Sequence, residues 1–171
     1  MFVLDTNVVS ELRKAGAGKA SRYVTTWAKS VPTGALFVSA ITILELEIGV
    51  LQIERRDHAQ GAVLRTWLDR HVLTAFAGRV LAIDTAVAQR CAALHVPDPK
   101  SERDALIAAT AMVHGMTVVT RNVADFEATG VAIFNPWQKA LSKNKQNASY
   151  ANQKDYKQHD SKATPHGKSG R

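Results

Sequence analysis

The N-terminus reads Phe2-Val3-Leu4-Asp5-Thr6-Asn7-Val8-Val9-Ser10-Glu11-Leu12. It begins an alternation of strand and helix that continues along the chain. Its first three residues are apolar, which predicts a short buried strand that ends at Asp5. Thr6 and Asn7 are suited to the start of a helix, whose valines and leucine would form the buried face. The stretch therefore predicts a strand followed directly by a helix, with an acid at the junction.

The alternation of strand and helix continues to about residue 137. Short apolar runs predict further strands at 36–39, 80–83, 116–120 and 131–134. Residues at helical spacing predict helices at about 21–29, 41–54, 58–77, 85–94 and 102–114, and 121–126 is expected to be a loop or short helix. This order predicts an α/β fold with a mostly parallel five-stranded sheet and helices on both faces.

The net charge of +7 is concentrated in the C-terminal part of the chain. Residues 138–171 carry eight Lys or Arg and two acids, so residues 1–137 are nearly neutral, with 14 basic and 13 acidic residues. We expect 1–137 to be one domain and 138–171 to be a disordered basic tail, because its polar composition cannot bury enough apolar surface to fold. A nucleic-acid-binding arm is the alternative for this tail.

Several classes of protein do not fit the composition. Cys91 is the single cysteine, so the chain cannot form an internal disulfide. The N-terminus has no basic segment of the signal-peptide kind, and the longest apolar stretch, 35–44, is about half of the ~20 residues that a membrane-spanning helix needs. Neither a dinucleotide-binding glycine motif nor a P-loop is present. We therefore expect a soluble cytoplasmic protein without membrane contact.

Three acids stand where a catalytic centre could form. Asp5 lies at the carboxyl end of the first strand, where open α/β sheets bind ligands, although it could equally be a helix cap. Glu45 lies in a helix that is apolar nearly all round, so it needs a metal or an arginine as partner. Asp104 is in the first turn of a later helix, where the helix dipole alone would also favour an acid.

Asp125 follows the fourth predicted strand closely and could join these acids. Carboxylates that converge at one sheet edge repel each other unless a cation neutralises them. Oxygen-only ligands suit Mg²⁺, with Mn²⁺ as a second possibility. A zinc site fits poorly, since the histidines and Cys91 show no ligand spacing. The acids therefore predict a site for a divalent metal ion.

Four stretches together resemble one known family. They are Leu4-Asp5-Thr6-Asn7-Val8-Val9-Ser10-Glu11-Leu12, Ser39-Ala40-Ile41-Thr42-Ile43-Leu44-Glu45-Leu46 with Gly49, Arg103-Asp104-Ala105-Leu106-Ile107-Ala108-Ala109-Thr110-Ala111, and Val119-Thr120-Arg121-Asn122-Val123-Ala124-Asp125-Phe126, with Asn135-Pro136-Trp137 at the end. In order and spacing they resemble the PIN-domain proteins, specifically the VapC-type (FitB-like) toxins of bacterial type II toxin–antitoxin pairs. The resemblance covers about 1–137, and the tail from Gln138 departs from the family pattern.

The resemblance implies a PIN-like three-layer fold and a Mg²⁺-dependent endoribonuclease that acts as a toxin. It implies that Asp5, Glu45, Asp104 and Asp125 form the metal site, with Asp5 and Asp104 as the surest direct ligands. The supporting polar positions that match the family are Thr6, Asn7, Thr120 and Asn122. The implied partners are an RNA substrate, a small cognate antitoxin and a second copy of the chain in a homodimer.

Four cations near these acids are candidates for contacts with the RNA backbone, although lone surface charges are more often only solvated. They are Arg13, Lys14, Arg103 and Arg121. Two other functions remain open: a PIN-like module that only binds protein or RNA, and a phosphatase with an aspartate nucleophile. The complete set of acids speaks against the first. Asn7, where a phosphatase would need a second acid, speaks against the second.

Overall fold

The computed structural model describes residues 1–138, and their centre is a five-stranded sheet. Its strands are β1 (Phe2–Leu4), β2 (Leu36–Ser39), β3 (Val80–Leu81), β4 (Thr117–Val119) and β5 (Ile133–Phe134). They lie in the order β3-β2-β1-β4-β5, and every neighbouring pair is parallel. The predicted α/β class and the mostly parallel five-stranded sheet are confirmed. The predicted tail, apart from Gln138, lies outside the described residues.

Helices connect the strands in the predicted order. They are α1 (Thr6–Arg13), α2 (Arg22–Ser30), α3 (Ala40–Arg56), α4 (His58–Trp67), α5 (Leu73–Ala75), α6 (Thr85–Leu94), α7 (Glu102–Val113) and α8 (Val123–Glu127). The helix predicted over 58–77 is interrupted, because a π-helical turn at Leu68–Val72 separates α4 from α5. No helix within 1–138 has the length and apolar composition to cross a membrane.

The two faces of the sheet bury different side chains, because successive residues of a strand point to opposite faces. Leu4 and Val119 belong to one core cluster, which includes side chains from the first four helices. Val3 and Val118, their neighbours along the same strands, belong to a second cluster with Ile107 of α7. Helices therefore cover both faces, as the sequence predicted.

The strand order places a crevice at the centre of the sheet. From β1 the chain adds β2 and β3 on one side, and it then crosses to add β4 and β5 on the other side. In open parallel sheets, ligands bind beyond the carboxyl ends of the two strands at which this order reverses. Here those strands are β1 and β4, so the residues that follow Leu4 and Val119 are the first place to look for a functional site.

Glu47 and Glu54 of α3 form an ion-pair network with α4. Arg65 donates two hydrogen bonds to Glu47, of 2.9 and 2.6 Å, and one of 3.0 Å to Glu54. The charge-assisted bonds from Arg65 hold the pKa of Glu47 below its usual value. Helices α3 and α4 lie very close together here, because a Cβ on Gly61 of α4 would meet the Glu54 backbone of α3 at 2.5 Å.

Candidate metal centre

Asp5 is a buried carboxylate at the carboxyl end of β1, with 6% of its surface exposed. It caps α1, as its carboxylate accepts a 2.7 Å hydrogen bond from the Thr6 backbone N–H. Its Oδ2 atom also accepts hydrogen bonds of 2.6 Å from the Asn7 amide and 2.6 Å from the Thr120 hydroxyl. These three bonds use three of about four acceptor positions of a carboxylate, which leaves capacity for a cation.

The ends of β1 and β4 are joined by a polar network. The Asn7 amide donates to Asp5 and also, at 3.0 Å, to the Thr120 hydroxyl oxygen. The Asn7 carbonyl oxygen accepts from the Arg121 backbone N–H at 3.3 Å, and Thr120 Oγ1 accepts from the Asn122 backbone N–H at 2.9 Å. The structure therefore brings Asn7, Thr120 and the Asn122 backbone together at the strand crevice.

Glu45 reaches the same crevice from α3. One of its carboxylate oxygens accepts a hydrogen bond from the Thr6 hydroxyl, and the other lies 3.7 Å from the Arg103 guanidinium. The helix is held against the sheet by the Thr42 hydroxyl, which donates at 3.2 Å to the Leu4 carbonyl just before Asp5. Of the two partners that the sequence left open for Glu45, the arginine is present as Arg103. Glu45 as a metal ligand stays a prediction.

Asp104 is half-buried in the first turn of α7 and is close enough to influence Asp5. Burial raises the pKa of Asp5 from 3.8 to about 6, and the negative charges of Glu45 and Asp104 add to this rise. The hydrogen bonds from Thr120 and Thr6 lower the pKa but do not cancel the effect of burial. Within residues 1–138, no lysine or arginine forms an ion pair with Asp5. The ionised carboxylate therefore lacks a positive partner.

Asp125 differs from the other three acids. It lies exposed in α8, and its side chain makes no hydrogen bond or ion pair with another described residue. In the described part of the chain, no three His, Cys, Asp or Glu side chains stand together as a ready metal cluster. The donor set nevertheless fits Mg²⁺, which is commonly held by one or two carboxylates and completed by water. Asp125 as a metal ligand stays a prediction.

The four basic residues proposed for RNA contacts each have a partner within the chain. Lys14 pairs with Glu11 at 2.8 Å, and Arg103 pairs with Glu45. Arg13 lies over the Trp67 ring at 5.5 Å, and Arg121 lies over the Trp137 ring at 5.6 Å. The sequence left an arginine open as the partner of Glu45 without identifying Arg103, and it did not indicate that Arg13 and Arg121 lie over tryptophan rings. Their contacts with RNA stay a prediction.

The raised pKa of Asp5 predicts how the stability of the metal-free protein depends on pH. Below pH 4 the carboxyl is protonated in both the folded and the unfolded chain, and above about pH 6.5 it is ionised in both. In between, the unfolded chain loses its proton first, so rising pH destabilises the fold. A shift of about two pKa units corresponds to a loss of up to roughly 3 kcal/mol.

Urea unfolding in EDTA, followed by circular dichroism between pH 4 and 7.5, tests this expectation. The free energy of unfolding of Asp5→Asn minus that of the parent should grow as pH rises to about 6.5 and then level off. A constant difference over this range would contradict the assignment of the raised pKa to Asp5.

Comparisons with known proteins show what this chain is similar to. The PIN domain family model matches residues 2–131. The "VapC ribonuclease Y4jK" of Sinorhizobium fredii is 39% identical over 145 residues, which cover 82% of this chain and all of the relative. "Toxin FitB" of Neisseria gonorrhoeae is 37% identical, over 80% of this chain and 99% of the relative.

A solved structure extends the comparison to three dimensions. The crystal structure of FitAcB from Neisseria gonorrhoeae contains a chain with a TM-score of 0.73 and 35% identity to this one, over 81% of this chain and 100% of that chain. The chain therefore belongs to the PIN-domain family and, within that family, to the group that contains the VapC and FitB toxins.

Proposed function

We propose that this protein is a metal-dependent endoribonuclease that acts as the toxin of a toxin–antitoxin pair and hydrolyses RNA phosphodiester bonds at the Asp5 centre. The observation that carries the proposal is the buried Asp5 carboxylate. It lies at the crevice between β1 and β4 without a positive partner, beside two further acids. Relatives of this chain include a protein named as a VapC ribonuclease, which supports RNA as the substrate.

Mg²⁺ is the proposed ion, and Asp5 and Asp104 are its proposed ligands, with Glu45 and Asp125 as further ligands or as acceptors for water. When bound, the ion would lower the pKa of a water molecule and stabilise the charge that develops on the phosphate. Thr120 and Asn7 hold the Asp5 carboxylate in one orientation by donating to the same oxygen. The Thr6 hydroxyl orients Glu45 in the same way.

Removal of the metal ion should abolish cleavage. Purified protein, freed of metal by EDTA, is expected to leave an end-labelled single-stranded RNA intact, because no group other than the ion would activate water at this site. Excess Mg²⁺ should restore cleavage, Mn²⁺ should substitute, and gel electrophoresis of the RNA would show both effects. Undiminished cleavage in EDTA would contradict the proposal.

A non-catalytic PIN-like module would bind RNA or a protein partner without cleaving it. The same experiment separates the two functions, since such a module would leave the RNA intact under every metal condition. Asn7 donates its amide to Asp5 and Thr120 and so serves to position Asp5. This arrangement gives no support to an aspartate-nucleophile phosphatase, in which a second acid would act at that position.

We also propose that a small antitoxin is the protein partner and that it docks in a groove between α1 and α4. The groove has a volume of about 600 Å³ and includes Arg13, Val63 and Trp67 in its lining. Val63 is 61% exposed there, although it is apolar, and the Arg13 guanidinium lies over the Trp67 ring. A segment with apolar side chains and a carboxylate would match this surface. The homodimer that the resemblance implies stays a prediction.

Val63→Glu is expected to weaken antitoxin binding at least about tenfold, because it replaces an apolar contact by a negative charge that would repel the carboxylate of the docking segment. The binding partner in the test is the small protein encoded beside the toxin gene, and calorimetry measures the affinity. Val113→Glu is the matched control, since Val113 is a 40% exposed valine on α7 that is absent from the groove lining. Equal losses for both variants, or none, would place the antitoxin elsewhere.

A further inference from the structure

Glu45 has partners within the chain on both of its carboxylate oxygens, and one of these partners is a cation. One accepts the Thr6 hydroxyl, and the other faces Arg103 Nη1 at 3.7 Å. Among the ion pairs of residues 1–138, only the Arg103–Glu45 pair involves one of the four proposed metal-site acids, which are Asp5, Glu45, Asp104 and Asp125. A cation that ligates Glu45 would therefore meet a guanidinium already in place on that carboxylate.

The pair has the properties of a contact that can be exchanged. At 3.7 Å it is longer than a hydrogen bond, so it is held by charge attraction rather than by directional bonding. Arg103 is 52% exposed, whereas Glu45 is 22% exposed. An arginine that is half in solvent loses little when its partner is taken by another cation, because water can solvate it. The Arg65 network, in contrast, has several short bonds.

The position of Arg103 places this competition at the proposed metal site. Arg103 directly precedes Asp104 in the first turn of α7, and its guanidinium contacts Glu45 of α3. The charges of Glu45 and Asp104 both raise the pKa of Asp5, so the acids lie within electrostatic reach of one another. Arg103 thus compensates one negative charge of this cluster in the metal-free protein.

We propose that Arg103 is the internal counter-ion of Glu45 and competes with the metal ion for that carboxylate, so that it sets how tightly the centre binds a divalent cation. The inference rests on the proposed function, because it requires a cation to bind among these acids. Arg103 is a positioning residue in this scheme: it holds Glu45 in the metal-free protein and leaves it when the cation binds.

Mn²⁺ binding, measured by calorimetry and by electron paramagnetic resonance of the free ion, tests the proposal without any cleavage assay. Arg103→Gln should bind Mn²⁺ about two- to fivefold more tightly than the parent, since exposed ion pairs contribute up to ~1 kcal/mol, which corresponds to about fivefold. Arg121→Gln is the matched control. It removes the same charge from a guanidinium that lies over Trp137 rather than beside Glu45, so its effect should be smaller.

A double-mutant cycle shows whether Arg103 acts through Glu45. In a Glu45→Gln background, Arg103→Gln should change Mn²⁺ affinity by less than about 1.5-fold, because the carboxylate for which it competes is gone. An equal gain in both backgrounds would mean a general field effect and would overturn the proposal. Unchanged or weaker binding by Arg103→Gln would overturn it as well, and Arg103→Met replaces this variant if the glutamine form does not fold by circular dichroism.

The parent and Asp5→Asn proteins distinguish this outcome from failure of the proposed function. If the parent binds Mn²⁺ no better than Asp5→Asn does, the metal centre itself is wrong. If the parent binds clearly better and Arg103→Gln behaves as the parent does, only the role of Arg103 is wrong.

Discussion

Asp5→Asn is expected to lower the rate of RNA cleavage on the order of a thousandfold or more, equivalent to about 4 kcal/mol of transition-state stabilisation. The change removes the negative charge of the proposed metal ligand while the size of the side chain stays the same. Asparagine is also a good helix cap, so α1 should keep its N-terminus. The loss would therefore come from the chemistry of the site and not from unfolding.

Asp84→Asn provides the matched control for this prediction. Asp84 also caps a helix, α6, by accepting a 2.9 Å hydrogen bond from the Val87 backbone N–H, and it is exposed. The same chemical change there should leave the cleavage rate within about twofold of the parent, since helix-cap exchange between Asp and Asn costs little. Initial rates on a labelled RNA and thermal unfolding of both variants test the pair. Full activity of Asp5→Asn would remove Asp5 from the catalytic centre.

Asp104→Asn and Asp125→Asn are expected to differ strongly in their effects. Asp104→Asn should lower cleavage at least about a hundredfold, because its charge acts on Asp5 and it is proposed to bind the metal directly. Asp125→Asn should cost less than about tenfold, since Asp125 is exposed and makes no side-chain contact with the other described acids. An acid in this position could act on bound water rather than on the ion itself.

Rates measured over a range of Mg²⁺ concentrations would test this ranking. For Asp104→Asn, the maximal rate should fall, and the concentration of Mg²⁺ that gives half-maximal activity should rise. An Asp125→Asn protein as inactive as Asp104→Asn would show that α8 supplies a direct ligand.

The sequence was sufficient to predict the elements and the position of Asp5. Apolar runs are local signals, and an acid at the carboxyl end of a predicted strand lies at the binding edge of a parallel sheet whichever way the strands are ordered. Glu45 was singled out because an acid in a nearly all-apolar helix needs a partner. The structure shows that this partner is both Thr6 and Arg103.

The remaining details depend on contacts between distant parts of the chain. Helical spacing over 58–77 does not distinguish a continuous α-helix from one with a π-helical turn, because both bury nearly the same side chains. The ion pairs of Glu47 and Glu54 have no local signal, because their partner, Arg65, lies on the next helix. Asp125 follows the fourth strand closely in sequence, and only tertiary packing shows that it is exposed.

The bond between Asp5 and Thr120 joins residues that are 115 positions apart. During translation the N-terminal carboxylate is made first, but its orienting hydroxyl leaves the ribosome only near the end of domain synthesis. Chain segments this far apart in sequence meet late in folding, after local structure has formed. The carboxylate should thus reach its final orientation only once nearly the whole domain has emerged from the ribosome.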